Sequence, residues 1–283
     1  MPSTSFDFSI VTPSLNMLGY LKRCSASVAD QDGVSVEHMV MDACSTDGTV
    51  EWLLENDRVI SSVEKDKGMY DAINKGFRRA RGQFLAYLNC DEQYLSGTLA
   101  YVKDFFGSHP QIDLLFGGGL LVRPDGFLIA YRKAYQPRWP YIWVSHLYVL
   151  SCTMFVRRRV IERGFLFDDN LRDIGDKRFV VVCLRNGFRA AYAKRYFSVF
   201  TMTGSNMSAG ENAKREKREY LKETPPWVRV FWHPLNVLRL TEKTLAGAYR
   251  ESFPLTYALY DSDDLEKRRK FVAAKASFRW KTG

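Results

Sequence analysis

Acidic side chains stand beside apolar stretches at three places in the sequence. Asp42 ends the stretch VEHMVMD, Asp91 and Glu92 follow QFLAYLNC, and Asp176 lies in IGDKRF. Ionised carboxylates accept hydrogen bonds from a base, bind hard divalent cations through oxygen and take protons from hydroxyl groups. A site that used all three roles would need a fold that brings these acids into one cleft.

The length and composition suit a globular enzyme. The chain has 283 residues, of which 46% are hydrophobic, enough for one large α/β domain with an appendage. No apolar run approaches the roughly 18–20 residues of a membrane-spanning helix, and no secretory signal is predicted. The five cysteines show no CxxC spacing, which favours free thiols in a reducing compartment. We therefore expect a cytoplasmic protein.

The net charge of +9 is concentrated near the carboxyl end. Residues 205–283 hold 16 Lys and Arg against 10 Asp and Glu. Such a tail suits nucleic acid, anionic lipid or simply solvent. Paired Trp and Leu among these cations would suit a peripheral position at the inner face of the cell membrane. Packing against the catalytic domain or a second subunit would explain the same residues, so an oligomer is also possible.

Apolar runs alternate with helical patterns through the first part of the chain. Strands are predicted at 6–14, 36–42, 58–64, 83–89 and 112–118, and helices at 18–29, 45–56, 69–80 and 97–109. Such alternation predicts parallel strands with crossover helices. Ligands of such sheets bind beyond the carboxyl ends of the strands, which is where Asp42 and Asp91 fall.

The second part of the chain has a less regular pattern. It holds an aromatic-rich stretch at 138–160, a helix at 174–188 and a strand at 189–200, followed by a charged helix at 211–223 that Pro225 and Pro226 end. We predict a catalytic domain at 1–210, with a nucleotide-binding half at about 1–117 and an acceptor-side half at about 118–210. Residues 211–283 form a basic, mainly helical extension.

Five ordered segments resemble one enzyme family. VTPSLN, VMDACSTDGT, EKDKGMYDAINKG, ARGQFLAYLNCDE and IGDKRF, spread over about residues 6–205, are similar to segments of the inverting glycosyltransferases of family 2. The likeness is greatest to members that build bacterial surface polysaccharides. It implies a GT-A fold, an α/β Rossmann-like architecture with a mostly parallel central sheet flanked by helices. It also implies a nucleotide-sugar donor, most simply UDP-linked, and a glycan or lipid-linked acceptor.

The resemblance assigns the donor side of the site to several residues. The matching family aspartate binds uracil, which gives that role to Asp42, while neighbouring segments line the nucleotide, ribose and sugar. The predicted donor-binding residues are Thr12, Pro13, Ser14, Asp42, Asp66, Asp71 and Asn89. The alternatives are a strand-ending proline turn at 12–14 and helix capping. Capping is expected of Asp47, with Ser45 and Thr46 as further N-cap candidates.

The segment NCDE resembles the family's metal-binding motif. It implies Mn²⁺ or Mg²⁺ held by Asp91, with Glu92 as a second or water-mediated ligand. A hard cation neutralises a departing diphosphate, and glutamate differs from the family's aspartate by one methylene. An unligated surface turn is the alternative.

The segment IGDKRF implies the catalytic base. Inversion needs a carboxylate that takes the proton of the acceptor hydroxyl, and Asp176 matches the second member of the family's acidic pair. Gly175 stands where the first acid is often found, and Asp173 is a nearby substitute. Helix capping by Asp173 or Asp176 is the alternative.

The acceptor side is predicted around the aromatic-rich stretch. Trp139, Tyr141 and Trp143 could stack on sugar rings, although such residues commonly form core, and His146 is expected to be structural. The segment GSNMS at 204–208 resembles a loop that closes over the donor in relatives.

Other classes fit less well. A dinucleotide-dependent dehydrogenase needs a Gly-x-Gly-x-x-Gly turn after the first strand, and VTPSLNMLG has none. A nucleotidyltransferase would need a Gly- and Lys-rich loop there. A basic nucleic-acid-binding protein stays an alternative that predicts salt-sensitive binding, but we expect no nucleic-acid partner.

Overall fold

A computed structural model describes residues 6–204, 211–262 and 264–279. The strands are β1 Phe6–Ser14, β2 Val36–Asp42, β3 Ile60–Val63, β4 Gly82–Tyr87, β5 Glu92–Tyr94, β6 Leu114–Val122, β7 Leu128–Arg132, β8 Met154–Arg157, β9 Ala190–Thr201, β10 Leu255–Leu259 and β11 Arg269–Ala273. The helices are α1 Leu18–Ala29, α2 Thr49–Glu55, α3 Met69–Arg79, α4 Thr98–Ser108, α5 Trp139–Trp143, α6 Arg158–Glu162, α7 Gly175–Arg185, α8 Glu211–Lys222, α9 Pro226–Val230 and α10 Trp232–Leu245.

Nine strands form one sheet in the order β3-β2-β1-β4-β8-β6-β9-β5, with β7 paired to β6. The block β3-β2-β1-β4 is parallel, and β6 and β9 are parallel to each other. Strand β8 runs antiparallel between β4 and β6 and joins the two parts. The predicted α/β architecture is therefore confirmed.

Helix α3 packs unusually close to the central strand β1. A Cβ atom placed on Gly76 would lie 2.6 Å from a methyl group of Val11, much nearer than carbon atoms approach. Glycine at this position therefore lets the helix backbone press against the sheet. This contact fixes the helix that follows the segment EKDKG beside the carboxyl end of β1.

The carboxyl ends of the parallel strands meet at one edge of the sheet. Ser14, the last residue of β1, is the register partner of Asp42, the last residue of β2. The chain leaves β4 at Tyr87 and enters the loop that holds Asp91. The edge that parallel α/β sheets use for ligands therefore carries the predicted donor-side segments.

Two details of local structure differ from the sequence prediction. The N-cap position of helix α2 is Gly48, in a left-handed conformation with φ 89°, although the side chain of Asp47 just before it accepts the Thr49 N–H at the start of the helix (3.2 Å). Glycine adopts this conformation without a Cβ penalty. The hairpin of β10 and β11 was not predicted, because each of its strands has only 5 residues.

The carboxyl-terminal extension packs on the catalytic domain. Tyr220, Val228 and Ala248 belong to the main hydrophobic core, and Trp143 stacks on Tyr220 with ring centroids 4.6 Å apart. The β10–β11 hairpin covers β6 and β7 through a separate cluster that includes Phe271. Within the described residues, no helix is both long and apolar enough to cross a bilayer.

Candidate active site

Hydrogen bonds join the loops that follow β1 and β2. Asp42 is buried at the end of β2, where it accepts the Ser45 N–H on Oδ1 (2.8 Å) and the Ser45 hydroxyl on Oδ2 (2.6 Å). The Ser45 oxygen accepts the N–H of Asn16 (2.8 Å). Asp42 thus holds the shape of both loops, and its contact with a base stays a prediction.

Two non-glycine residues in these loops have left-handed backbones. Asn16 has φ 52° and Cys44 has φ 66°, a conformation that costs free energy and concentrates at functional sites. The Asn16 side chain accepts the Thr46 N–H (2.7 Å), which offsets that cost. Asp47 adds a further link, since it accepts the N–H of Leu18 (2.9 Å).

The segment at the end of β1 is mostly buried. Thr12 is fully buried and its hydroxyl bonds Nε2 of His38 (2.8 Å). Burial lowers the pKa of His38 to about 4, so the imidazole is neutral. The Pro13 carbonyl accepts the Cys90 thiol (3.4 Å), and Ser14 is buried beside Asp42. The side chain of Thr12 therefore packs inside the protein and supports this edge of the sheet.

The predicted metal loop has one accessible acid and one buried acid. Asp91 is partly exposed, whereas Glu92 is fully buried and accepts the Asn89 N–H (2.7 Å). Burial, and then the charge of Asp91, raise the pKa of Glu92 to about 8. Glu92 is thus the inner acid of this loop, and Asp91 is the one nearer to solvent.

The donor atoms of this loop fit a hard cation. Neither Asn89 Oδ1 nor Glu92 Oε1 has a hydrogen-bond partner among the described residues, although both are buried. Oxygen ligands of this kind suit Mg²⁺ or Mn²⁺. Among all the residues that the structure describes, no group of three or more His, Cys, Asp and Glu side chains is arranged to hold a metal. A bound cation would therefore need oxygens from its substrate as well.

Asp66 and Asp71 shape the loop before α3. Asp66 accepts the Gly68 N–H (2.8 Å), and Asp71 accepts the Lys67 N–H (3.1 Å) and pairs with Lys75 (3.3 Å). Although burial acts to raise it, the pKa of Asp71 is lowered by these partners. Contacts of the two acids with a donor stay predictions.

Asp176 lies in the first turn of α7 and faces an aromatic neighbour. Its N–H donates to the Tyr70 hydroxyl (3.1 Å), and its Oδ1 accepts the Lys177 N–H (2.7 Å). Some of the residue is open to solvent, but the surrounding protein desolvates the carboxyl group. This burial raises the pKa of Asp176 to about 6, and the Lys177 N–H only partly offsets it. The N-cap of α7 is Ile174, so neither Asp173 nor Asp176 takes the capping role.

Gly175 and Tyr70 are matched in shape. A Cβ atom on Gly175 would lie 2.7 Å from ring carbons of Tyr70. Tyr70 is itself buried and stacks on Phe167 at 5.3 Å, so it cannot readily move. The Tyr70 ring therefore fills the space beside Gly175, where the family often has its first acid, and the Tyr70 hydroxyl accepts the Asp176 N–H.

Glu216 of α8 holds the loop that leads into α7. It accepts the N–H groups of Arg172 (2.8 Å), Asp173 (3.0 Å) and Ile174 (3.2 Å). Burial acts to raise the pKa of Glu216, but these bonds hold it below its ordinary value. Asn212 completes the contact by donating to Asp173 (2.6 Å). The extension thus fixes the backbone just before Asp176.

Buried side chains connect the predicted site residues electrostatically. The thiol of Cys90 lies near Asp91 and Asp42, which, after burial, help to raise its pKa to about 12. Burial and then Tyr70, Asp176 and Glu92 raise the pKa of Tyr87 well above its ordinary range. The base, metal and catalytic regions predicted from sequence are therefore within electrostatic range of one another.

The aromatic residues predicted for the acceptor side mostly join the extension to the core. The Trp143 N–H donates to the Thr224 hydroxyl (3.0 Å), and Trp139 meets Trp227 edge-on at 5.3 Å. Trp143 is therefore core, the alternative that its composition had suggested. Residues 205–208 of the predicted donor loop lie outside the described residues.

Two features of this site were not predicted. Tyr70 stands in the quoted segment EKDKGMYDAINKG, so its proximity to the site could have been suspected. Glu216 looked like one charge among many on a polar helix. It contacts a loop more than 40 residues earlier in the chain, and no spacing rule shows such contacts.

Solved structures share this architecture. The structure of S. aureus TarS 1-349 matches with a TM-score of 0.59 at 16% identity, over 89% of this chain and 96% of its own. The mannosyltransferase PcManGT from Pyrobaculum calidifontis, solved with GDP-Man and Mn²⁺, matches with a TM-score of 0.56 at 17% identity. The match covers 90% of this chain and 79% of PcManGT. Such likeness shows the fold, and the predicted GT-A fold with a helical extension is confirmed.

Sequence relatives carry glycosyltransferase names. A PGL/p-HBAD biosynthesis glycosyltransferase of Mycobacterium bovis is 28% identical over 236 residues, which cover 79% of this chain and 86% of the relative. The putative teichuronic acid biosynthesis glycosyltransferase TuaG of Bacillus subtilis is 31% identical over 123 residues, which cover 42% and 48%.

A sequence family accounts for the shared segments. The family model described as Glycosyl transferase family 2 matches residues 9–165. That match covers more than half of the chain, so the protein belongs to glycosyltransferase family 2. It is an inverting glycosyltransferase, as the ordered segments had predicted.

The raised pKa of Asp176 predicts how activity depends on pH. A base must be ionised, so turnover should be half-maximal near pH 6, level off about one pH unit higher and fall about tenfold per pH unit well below pH 6. The measurement is sugar transfer or donor hydrolysis between pH 4.5 and 8, with donor affinity measured in parallel. A rate that stays flat down to pH 4.5 would contradict a pKa of about 6 for this carboxyl group.

The fit between Gly175 and Tyr70 predicts the effect of a single methyl group. Gly175→Ala should destabilise the protein by about 1–3 kcal/mol, because the ring has no room to retreat. Gly107→Ala in α4 is the matched control, since nothing lies within 4 Å of its added Cβ. Thermal unfolding should show a lower Tm for the first variant alone, and equal Tm values would refute the close contact.

Proposed function

We propose that the protein transfers a sugar from a nucleotide-sugar, most simply UDP-linked, to a hydroxyl group of a glycan or lipid-linked acceptor in surface polysaccharide synthesis. The relative names support this class, since TuaG is named for teichuronic acid biosynthesis. TarS, which shares the fold, has been solved in complex with UDP-GlcNAc. The observation that carries the proposal is the desolvated carboxyl group of Asp176 at the border of the predicted donor site.

Asp176 would act as the base. With a pKa of about 6 it is ionised at neutral pH, yet basic enough to accept a proton as a hydroxyl group attacks. Tyr70 and the Lys177 N–H hold it at the start of α7. The acceptor oxygen would approach from this side and the donor from the loops after β1, β2 and β4. Asp42 would bind the base, with Thr12, Pro13, Ser14, Asp66, Asp71 and Asn89 around the nucleotide-sugar.

A divalent cation would be held by Asp91. Asn89 and Glu92, with their unpartnered oxygens, lie beside it in the same loop. When bound, the cation would neutralise charge on the diphosphate leaving group. The Mn²⁺ in the PcManGT complex supports the choice of metal for this class of fold.

The exposed face of α9 and α10 suits an anionic membrane surface. Large apolar side chains are open to solvent there, including Val230 at 75% and Leu245 at 83% exposure, and the set is Trp227, Val230, Phe231, Val237, Leu238 and Leu245. The helical positions 234, 237, 238, 241 and 245 carry no charge. An apolar face on a basic extension is typical of helices that lie in the interface of a bilayer, where a lipid-linked acceptor would be.

Substitution of the base separates binding from chemistry. Asp176→Asn should bind UDP as the wild type does but lose about 10²–10⁴-fold in transfer rate, because an amide cannot accept the proton. Its Tm at pH 8 should not fall, since the amide avoids burying a charge. Donor turnover and UDP titration together test this, and a variant with wild-type turnover would exclude Asp176 as the base.

Removal of the metal ligand tests the cation site. Asp91→Ala should lose manganese-stimulated UDP binding, because the accessible carboxylate of the loop is gone. Binding of Mn²⁺ and UDP can be followed by calorimetry, with chelator-treated wild type as the reference. Activity that is undiminished in chelator would refute the role of the metal.

Charge placed on the apolar face tests the membrane contact. Val237→Glu with Leu245→Glu in the full chain should reduce co-sedimentation with anionic vesicles several-fold, because carboxylates are expelled from the interface and repelled by its charge. Leu54→Glu on α2 is the control, at a site that is 78% exposed. Equal partitioning of both proteins would discard the contact.

A further inference from the structure

Cationic side chains from three elements converge beside the catalytic helix. They are Arg132 at the end of β7, Lys177 next to Asp176, and Arg239 and Lys243 on α10, with His146 among them. We refer to these five residues as the cationic cluster. It joins the catalytic domain to the extension. Apart from Lys177, which belongs to the segment IGDKRF, its members stand outside the family segments and the predicted donor site.

Arg239 is nine-tenths buried, and its hydrogen-bond partners among the described residues are neutral groups. Its guanidinium donates to Asn236 Oδ1 (3.2 and 3.3 Å) and to the Tyr135 hydroxyl (3.4 Å). Tyr135 stacks on Tyr148 at 4.1 Å, which makes a rigid wall behind the guanidinium. Buried charges normally pair with an opposite charge, because desolvation is costly.

The two lysines have aromatic and carbonyl neighbours. Lys243 Nζ lies 4.3 Å from the ring centre of Tyr249. Lys177 Nζ lies 4.7 Å from the ring centre of Tyr220 and 3.4 Å from the Ser145 carbonyl. Burial first, and other cations second, lower the pKa of each lysine to about 8.

His146 lies in a segment that contacts both α7 and α10. Lys177 of α7 lies against the Ser145 carbonyl, and the Asn236 amide of α10 donates to the Val144 carbonyl (3.4 Å). Water reaches the His146 ring, yet burial by surrounding protein and then the charges of Arg132, Arg239, Lys243 and Lys177 lower its pKa to about 3. Its Nδ1 lies 2.8 Å from the Ser145 hydroxyl. A neutral imidazole that is accessible and ringed by positive charge lines a site for a negative ligand.

The nearby carboxylates are already used. Glu242 pairs with Arg138 (2.8 Å) and Glu251 with Lys133 (3.3 Å). Within the described residues, no acid forms an ion pair with Lys177, Arg239 or Lys243. Arg239 and Lys243 are one helical turn apart on α10, and like charges placed so close repel one another. An anion bound by both side chains would relieve this cost.

We propose that the cationic cluster binds a phosphate or diphosphate group of the acceptor substrate. Arginine and lysine together suit phosphate, because the guanidinium fork gives directed hydrogen bonds and the ammonium gives compact charge. Lys177 follows Asp176 directly, so the cluster lies on the side where the acceptor hydroxyl must be deprotonated.

This inference rests on the proposed function and can be tested separately from it. Geranyl diphosphate is titrated by calorimetry into the full-length protein that is already saturated with UDP, at a fixed free manganese concentration. Wild type should bind it, whereas Arg239→Gln and Lys243→Gln should each weaken it about tenfold or more while UDP affinity stays within about twofold. Arg229→Gln, which removes an exposed cation of α9, is the charge-matched control and should bind as wild type.

Three results would overturn the proposal. Geranyl diphosphate that cannot bind while UDP is present would place the cluster in the donor site. If the cluster variants bind geranyl diphosphate as tightly as wild type, the cluster does not recognise it. If Arg229→Gln weakens binding equally, the effect comes from the net charge of the protein and not from a site. Lys243→Gln keeps the test valid if the more buried Arg239 variant unfolds. Failure of wild type to bind UDP at all would contradict the proposed function instead.

Discussion

Carboxylates removed from water need hydrogen-bond donors, and this constraint shapes the whole carboxyl edge of the sheet. Asp42 takes its donors from Ser45, and Glu92 takes one from the Asn89 backbone. Burial raises the pKa of Asp176 to about 6, although it accepts the Lys177 N–H, and raises the pKa of the more deeply buried Glu92 to about 8. Of these two acids, Asp176 is the one that is ionised at neutral pH and still basic enough to exchange a proton, whereas Asp42 and Glu92 hold loops.

The fold could be predicted from sequence because its signals are local. Strand β2 and helix α1 begin and end where the apolar pattern and helical spacing put them, at 36–42 and 18–29. The site could be predicted only as far as its segments. Asp176 was found through IGDKRF, but the Tyr70 hydroxyl bonded to it comes from 106 positions away. Contacts of this kind depend on the packed tertiary structure.

The extension is part of the catalytic architecture. Glu216 supplies the acceptor for three N–H groups before α7, and Trp143 is packed against Tyr220. The resemblance covers about residues 6–205 and ends before either contribution. Family likeness therefore marks the segments that lead to Asp176 but not the residues of the extension that hold them.

Asn212 and Glu216 bind the loop at 172–174 through its backbone as well as through Asp173. A hydrogen bond to a backbone N–H does not depend on the side chain of that residue. The sequence of the loop at 172–174 can therefore vary as long as the two anchoring residues of α8 are kept. Chimaeric enzymes that exchange extensions between relatives should therefore be joined upstream of α8. Asn212 and Glu216 are then transferred together with the rest of the extension and can bind the corresponding loop of the other enzyme.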